Sequence, residues 1–480
     1  MVDADHMTLD HAYNSEHGRV FMSGIQALVR LPLMQRRLDR ARGLKTAGLV
    51  SGYRGSPLGA YDQQLWKAEK YLLAHQVTFQ PGLNEDLAAT ALWGAQMHRA
   101  YGPANVDGVF GIWYGKGPGV DRCGDVFRNA NMLGTSALGG VLAIAGDDHA
   151  AQSSMFPHQT DGIFQSTLIP IIQPASVSEI LSLGLAGFAL SRYAGLWVAM
   201  KTIAEVVESA ASFELPTAWP EFASPTGPVP AHGLNWDPRV QWPSQRVELE
   251  RRMIEERIPA AISWAAANRL DHPVVVSSKK RLCVVTVGKA HQDLMQALED
   301  LGIGGDEAEA LGLSVYKVAM SWPLAIEPLI EFVGQADEIL VIEEKTPIVE
   351  NQIKAKLFHR RGRPIRVTGK TDDQGQPLLP VVMEFSPVMV AQALANRIVE
   401  DPVGIPTRLA DLVSRTNKGE VIAFPGRKPY FCAGCPHNLS TRTPDGSVSG
   451  GGIGCHALAL SVPELKTSIF SHMGGEGVQW

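Results

Sequence analysis

Cysteine is scarce in this chain: five in 480 residues, an odd number and too few for a disulfide framework. The thiols are therefore expected in a reducing compartment, kept for packing or ligation. Long apolar runs are missing too. The most apolar stretch, from Ile180 to Met200, is interrupted by Ser182, Ser191 and Arg192, and reads as a core helix followed by a strand. The N-terminus places acids and histidines where a signal peptide would need a basic start and an apolar core. Blocks of one charge are also absent. The 43 basic and 49 acidic residues are spread along the chain, net charge −6, with no basic tract to follow phosphates. Neither nucleic acid nor a membrane is expected as a partner, and the expected location is cytoplasmic.

What remains is ordinary globular material. The apolar and charged fractions, 45% and 19%, exclude a disordered or fibrous chain, and the length calls for two to four domains. From Thr46 to about Leu215, short apolar runs (Thr46 to Tyr53, Gly108 to Tyr114, Gly139 to Ala145) alternate with helical patterns, the rhythm of a parallel sheet wrapped by helices. Leu215 to Pro243 then holds seven prolines in 29 residues and reads as an extended linker.

A charged helix is expected over Ser244 to Ala267, with Val247, Met253, Ile254, Ile258, Ile262 and Ala265 on one stripe and a kink at Pro259. Strands follow at Leu282 to Val287, Ser314 to Met320 and Glu338 to Ile342, each trailed by a helix, the last capped by Thr346 with Pro347 at its first position. This second, smaller α/β domain should end near Ala395. Beyond Asp401 a third segment begins, richer in glycine and proline from Phe424. It stops at Met473-Gly-Gly-Glu-Gly-Val-Gln-Trp480, inside an unfinished strand and helix unit, so the chain is expected to be a fragment or truncated product.

Three cysteines share this last segment. Cys432 and Cys435 flank Ala-Gly ahead of Pro436-His437, and Cys455 follows Gly454 on a second glycine-rich turn before His456. Two thiols three residues apart can face one metal, and glycines let backbone amides approach the sulfurs. Zinc closed by His437 or His456, an iron–sulfur cluster and a redox dithiol all fit this spacing. Cys283, inside an apolar strand, and Cys123, at a helix start, read as packing.

In the first domain, Asn84-Glu85-Asp86 opens an alanine-rich helix. By position alone Glu85 is a favourable acid at a helix N-terminus. A carboxyl held among small apolar side chains also binds a proton more tightly, which suits sharing it with the ring nitrogen of a heterocycle. Gly52-Tyr-Arg54-Gly55-Ser56-Pro57 follows the first strand, where open parallel sheets bind ligands, and Arg54 suits a substrate carboxylate. Tyr114-Gly-Lys116-Gly-Pro-Gly119 and Gly146-Asp147-Asp148-His149, with Gln152-Ser-Ser154, are two more strand-to-helix turns.

Together these pieces resemble the N-terminal part of the fused indolepyruvate:ferredoxin oxidoreductases, in the thiamine-diphosphate-dependent 2-oxoacid:ferredoxin oxidoreductase superfamily. SGYRGSPLG, NEDLAATALWG, YGKGPGVDR, AGDDHAAQSS, LVIEEKTPIVENQ, FCAGCPHN and GIGCHALAL carry the resemblance over nearly the whole chain. It implies an α/β fold of doubly wound parallel sheets, with a pyrimidine-binding thiamine domain at 1–235. A smaller transketolase-C-terminal-like domain is implied at 236–400, and the incomplete start of the diphosphate-binding domain at 401–480.

On this resemblance Glu85 is catalytic, protonating the aminopyrimidine of thiamine diphosphate, with Gly55 also against the cofactor and Arg54 and Ser56 at the substrate. Cys432, Cys435 and Cys455 become ligands of a [4Fe–4S] cluster, and Pro436, His437, Gly454, His456, Gly474 and Gly475 line the cofactor. The reaction implied is oxidative decarboxylation of an aryl 2-oxo acid to its acyl-CoA, with coenzyme A as co-substrate and ferredoxin as electron acceptor, in a homodimer. The Mg2+ ligands and the fourth cluster ligand are expected beyond Trp480, Gly474-Gly-Glu-Gly477 being read as a turn ahead of the true metal motif. Two rivals stand beside this: a non-oxidative thiamine-dependent decarboxylase or transferase, and a catalytically silent binding fragment.

Overall fold

Eight strands form within the first 215 residues of the computed structural model: β1 (Gly18–Ser23), β2 (Ala47–Gly52), β3 (Val77–Phe79), β4 (Val109–Lys116), β5 (Val141–Asp147), β6 (Ile171–Ile172), β7 (Trp197–Ile203) and β8 (Ala210–Leu215). The structure describes residues 8, 10–218, 221–227, 229–240, 243–358, 365–398, 401–417, 430–472 and 474–478. The first seven residues, Pro220 and Pro228 of the linker, Glu400, Phe424, Met473 and Trp480 lie outside them. The chain divides into two compact units, Met1–Val413 and Ser414–Trp480.

β5 and β7 are buried at every position, because a central parallel strand is covered on both faces and can be apolar throughout. Helices α1 (Gly24–Ala41), α2 (Glu85–Gln96), α3 (Gly117–Arg122) and α4 (Val177–Ala194) supply the cover. Leu28 and Leu31 of α1 and Phe188 of α4 pack with Val50, Ile112, Leu142 and Val198 in one core. Ala88 and Leu92 of α2 pack with Trp113, Phe127, Ala143 and Trp197 in another. The capping box expected of a well-made helix start closes α1: the Ser23 hydroxyl accepts from the Gln26 amide, and the Gln26 side chain accepts from the Ser23 amide. β1 and β8 form a separate antiparallel ribbon.

Beyond Leu215 the proline-rich stretch carries no helix or strand among its described residues and is pinned beside the first sheet. The Asn235 side chain donates to the Arg192 carbonyl at 2.7 Å, and the Trp236 amide to the Thr135 carbonyl at 2.9 Å. The charged helix that follows is interrupted by one wide turn, Met253–Arg257, before α5 (Ile258–Ala267). Irregularity was expected at Pro259 itself. Proline lacks the amide that would bond back to the previous turn, so the widening falls just ahead of it. The widened turn also breaks the expected stripe: Val247 and Ile254 are exposed, while Leu249, Met253, Arg257, Ala261, Trp264 and Ala265 are buried.

The second sheet contains β9 (His272–Val275), β10 (Leu282–Val287), β11 (Leu313–Val318), β13 (Glu338–Ile342) and β14 (Arg366–Thr368), in the order β14-β13-β10-β11-β9. Helices cover both its faces. The strand expected over Ser314 to Met320 is in fact two. After Val318 the Asp271 carboxylate accepts the amides of Ala319 and Met320, at 2.7 and 3.0 Å, and turns the chain out of this sheet. The next three residues, β12 (Met320–Trp322), pair antiparallel with β6 of the first sheet. That sheet thus has seven strands, β12-β6-β7-β5-β4-β2-β3.

Thr346 is not a helix cap either. Helix α6 (Val349–Leu357) starts later, and the Glu343 carboxylate accepts the Val349 and Glu350 amides at 2.9 and 3.0 Å. A carboxylate fixed at a strand end outcompetes a nearby hydroxyl for these donors. Among the described residues no helix is long and apolar enough to cross a membrane.

Candidate active site and cysteine segment

β3 and β4 flank β2 on opposite sides, so the chain reverses its direction of winding between β2 and β4. Ligands of open α/β sheets lie outside the carboxyl ends of strands at such a point. Three loops gather there. The first, residues 53–60, leaves β2; the second, 80–84, leaves β3 and is drawn to the first by the Gly82 amide, which donates to the Gly52 carbonyl at 2.9 Å. The third begins at Lys116, where α3 starts.

Glu85 is the first residue of α2, after the extended cap Asn84, whose side chain accepts from the Leu87 amide at 2.9 Å. The Trp113 indole donates to the Glu85 carbonyl at 3.0 Å. The Glu85 side chain turns inward, 2% exposed, against Gly119 of α3, where a Cβ would come within 2.8 Å of Oε1. Its other carboxyl oxygen, Oε2, is buried with no hydrogen-bond partner. A buried acceptor left unsatisfied is costly, and such orphans concentrate where a ligand completes them.

Arg54 is exposed on the first loop, Gly55 rests against the Lys116 stem, and the Ser56 hydroxyl reaches the Glu208 carboxylate at 3.5 Å. Burial lowers the proton affinity of the Lys116 amine. These groups share the edge that holds Glu85.

A seam of buried charge, unforeseen from sequence, joins the two sheets. His149 Nδ1 lies 2.8 Å from the Glu344 carboxylate, and the Lys345 amine donates to the His149 carbonyl at 2.6 Å. Lys201 pairs with Asp161 at 2.5 Å and lies 3.7 Å from Asp147; Lys289 reaches Glu344 at 3.2 Å and Asp293 at 3.0 Å. Burial pushes the Glu344 carboxyl upward, but His149, Lys289 and the Phe385 amide more than offset it, bringing the pKa down to about 2. Burial holds the neighbouring Glu343 carboxyl up at about 7. Between these groups lies a cavity of about 20 Å³ lined by His149, Asp161, Gln173, Lys201, Lys289 and Glu344, room for one water-sized guest. The available signal was the acid pair Glu343-Glu344, which follows a strand buried at every position.

In the second unit the Cys432–Cys435 turn closes through the Cys435 amide, which donates to the Cys432 carbonyl at 3.0 Å, with Gly434 at φ +75°. That φ is left-handed, where glycine is preferred. Asn438 donates to the same carbonyl at 3.0 Å, and Pro436 leads into a helical turn with Cys435 Sγ 3.2 Å from His437 Nδ1. The His437 ring stacks on Phe431 at 5.3 Å and lies 6.0 Å from the His456 ring, bringing the two cysteine turns together. His456 accepts from the Gly452 amide at 3.0 Å, and Gly454 leads into Cys455.

Cys432 and Cys455 are exposed, Cys435 partly so, and all five cysteines are free. Cys123 and Cys283 are core residues, as expected. The Glu476 carboxylate accepts from the Gly474 amide at 2.9 Å, and Gly475 packs on the His472 ring. Among the described residues, no three His, Cys, Asp or Glu side chains converge to hold a single metal ion.

Residues 272–418 match the family model described as the indolepyruvate oxidoreductase domain. The chain is 23% identical to the indolepyruvate oxidoreductase subunit IorA of Methanothermobacter marburgensis, over 98% of this chain and 69% of the relative. It is 22% identical to the IorA subunit of Pyrococcus abyssi, over 94% of this chain and 63% of that one. Among solved structures, the 2-oxoglutarate:ferredoxin oxidoreductase from Magnetococcus marinus superposes with a TM-score of 0.54 at 14% identity, over 79% of this chain and 65% of the other. The resemblance read from the motifs is therefore borne out, and so is the doubly wound α/β architecture.

Proposed function

We propose that this chain is the pyrimidine-binding and first electron-accepting part of a thiamine-diphosphate-dependent 2-oxoacid:ferredoxin oxidoreductase acting on an aryl 2-oxo acid such as indolepyruvate. The observation that carries this is the Glu85 carboxyl, buried at the winding reversal with Oε2 unpartnered. A ring nitrogen of an aminopyrimidine fits that vacancy in the hydrogen bonding. When bound, thiamine diphosphate supplies a carbon that adds to the 2-oxo group and stores the electron pair left by loss of carbon dioxide.

Glu85 holds the proton exchanged with that ring nitrogen at Oε2, and Asn84, Trp113 and Gly119 fix where the oxygen stands. Arg54 orients the substrate carboxylate with its planar fork of donors, and Ser56 and Gly55 line the same loop. Cys432, Cys435 and Cys455 offer soft, solvent-facing sulfurs on glycine turns, a donor set suited to a [4Fe–4S] cluster that relays electrons to ferredoxin. Pro436, His437, Gly454, His456, Gly474 and Gly475 shape the cofactor's surroundings, and coenzyme A takes the acyl group.

The same reading assigns 1–235 to the pyrimidine domain, 236–400 to the transketolase-C-terminal-like domain and 401–480 to the diphosphate domain, in a cytoplasmic homodimer. Mg2+ belongs to the proposal, with no residue assigned to it. In the thiamine-loaded enzyme, Glu85→Gln is expected to slow proton exchange at the thiazolium carbon by about 100-fold or more with folding unchanged. Exchange at the wild-type rate would refute the assignment.

A further inference from the structure

The short helix α3, Gly-Pro-Gly-Val-Asp-Arg, lies between two ionisable side chains and has no side chain where it meets either. At its first residue, Gly117, a Cβ would fall 2.2 Å from the His158 ring. Two residues on, at Gly119, a Cβ would fall 2.7 Å from Glu85 Cγ. The helix is thus a thin spacer. Its position is fixed by the far side of His158: Nε2 is 2.9 Å from Asp121 of α3, and Nδ1 is 3.5 Å from Asp147 at the end of β5. Burial alone would strip the imidazole of its proton, but Asp121 and Asp147 reverse this and raise its pKa to about 9. Nε2 therefore hydrogen-bonds the helix, while Nδ1 faces the Asp147 carboxylate of the sheet as an ion pair without a hydrogen bond.

Asp147 is itself held in place, since Oδ2 accepts the Thr160 amide and hydroxyl at 2.9 and 3.1 Å. The loop bearing His158 is gripped from the second domain. The Gln159 side-chain oxygen accepts the Thr346 amide at 3.1 Å and hydroxyl at 2.5 Å, and its nitrogen donates to the Thr346 carbonyl at 3.3 Å. Ten residues back along the loop, Glu344 and Lys345 hold His149.

We propose that His158 is a positioning residue: it sets the height of α3 against the Glu85 carboxyl, and the second domain holds it there through the 148–160 loop. The inference rests on the reading of Glu85 as the proton-bearing group. It accounts for the order of residues in Lys116-Gly-Pro-Gly-Val-Asp121, where one glycine admits the imidazole, the next admits the carboxyl, and the aspartate ties the helix to the imidazole.

The test reads Glu85 itself, by ¹³C NMR of the side-chain carboxyl in the glutamate-labelled full chain, with Glu85→Gln assigning the signal. His158→Ala and Gly117→Ala are each expected to move the Glu85 titration midpoint by about half a pH unit or more. His158→Gln, which keeps a donor toward Asp121, should move it less than His158→Ala, and Gln159→Ala should move it in the same direction by a smaller step. Should His158→Ala fail to fold, Gly117→Ala and Gln159→Ala decide. A midpoint equal to wild type in every folded variant would overturn the proposal. A shifted midpoint in an enzyme that Glu85→Gln leaves fully active would keep the positioning role and remove the catalytic reading instead.

Discussion

Around Glu85 the contacts come from distant parts of the chain: the Trp113 indole, the Gly119 backbone and, through Gly82, the loop that follows β2. Around Cys435 they stay local, with the Cys432 carbonyl three residues back and His437 two ahead. The first region borders the core that holds Ala88, Leu92 and Trp113. In the second, the only buried apolar side chain among the described residues is Ala459. On the proposed function, the contrast follows from what each ligand would bring. A ring nitrogen must meet one oxygen at one place, so rigid walls have to exist beforehand. A metal cluster supplies its own rigidity and couples its binding to the ordering of the loops around it, so short turns are enough.

The comparison breaks most decisively at a sulfur. If the proposed cluster is correct, Cys435→Ser is expected to abolish its paramagnetic resonance signal and ferredoxin reduction, with the unfolding transition of the first unit unmoved. Full turnover of the 2-oxo acid without any ferredoxin reduction would favour a non-oxidative thiamine enzyme, and unchanged ferredoxin reduction would remove Cys435 from the electron path. Next in size is the buried seam. Lys201→Met leaves Asp161 without its cation and Asp147 with His158 alone, and should cost about 3–5 kcal/mol in urea unfolding. In the second unit, Lys466→Ala, which removes the exposed pair with Asp445, should produce no measurable change.

A smaller effect depends on pH. The His158 pKa is raised in the folded protein, so the stability it adds is present in full below about 6.5 and is lost as pH climbs through about 9, at most ~3 kcal/mol. Glu344 is depressed to about 2, and its share is present above about 4.5 and lost on acidification toward that value. Urea midpoints measured from pH 6 to 10 should fall for wild type and stay flatter for His158→Gln. The smallest change expected in turnover is at Arg54: on the proposed function, Arg54→Ala should raise the KM for the 2-oxo acid by about tenfold, the loss of one charged hydrogen bond. Thiamine affinity should hold.

Much of the sheet was legible because central parallel strands are apolar from end to end. β2, β4, β5, β10 and β13 fall where their aliphatic runs lie, and the helix-then-strand reading of Ile180 to Met200 matches α4 and β7. The losses occur where a long-range contact overrides a local pattern. Nothing in Ser314 to Met320 marks the break at Ala319, because its cause is Asp271, nearly fifty residues upstream. Thr346 and Pro347 look like a helix start, and only the placement of Glu343 shows otherwise. At the candidate site, Glu85 stood out by resemblance, whereas its burial against Gly119 and the grip of Glu344 on His149, 195 residues away, are products of folding.

The crossing at Ala319 also bears on how this architecture can be recombined. β11 belongs to one sheet and β12, a single residue later, to the other, so the second α/β layer lends its neighbour an edge strand. Two modules joined by a tether can be traded between proteins at the tether. Here a chimera that imports residues 272–398 from a relative imports that edge strand with them, and the graft must match β6 of its host as well as its own sheet. Exchange of the second sheet and its helices is therefore constrained at a three-residue strand far from the proline-rich stretch.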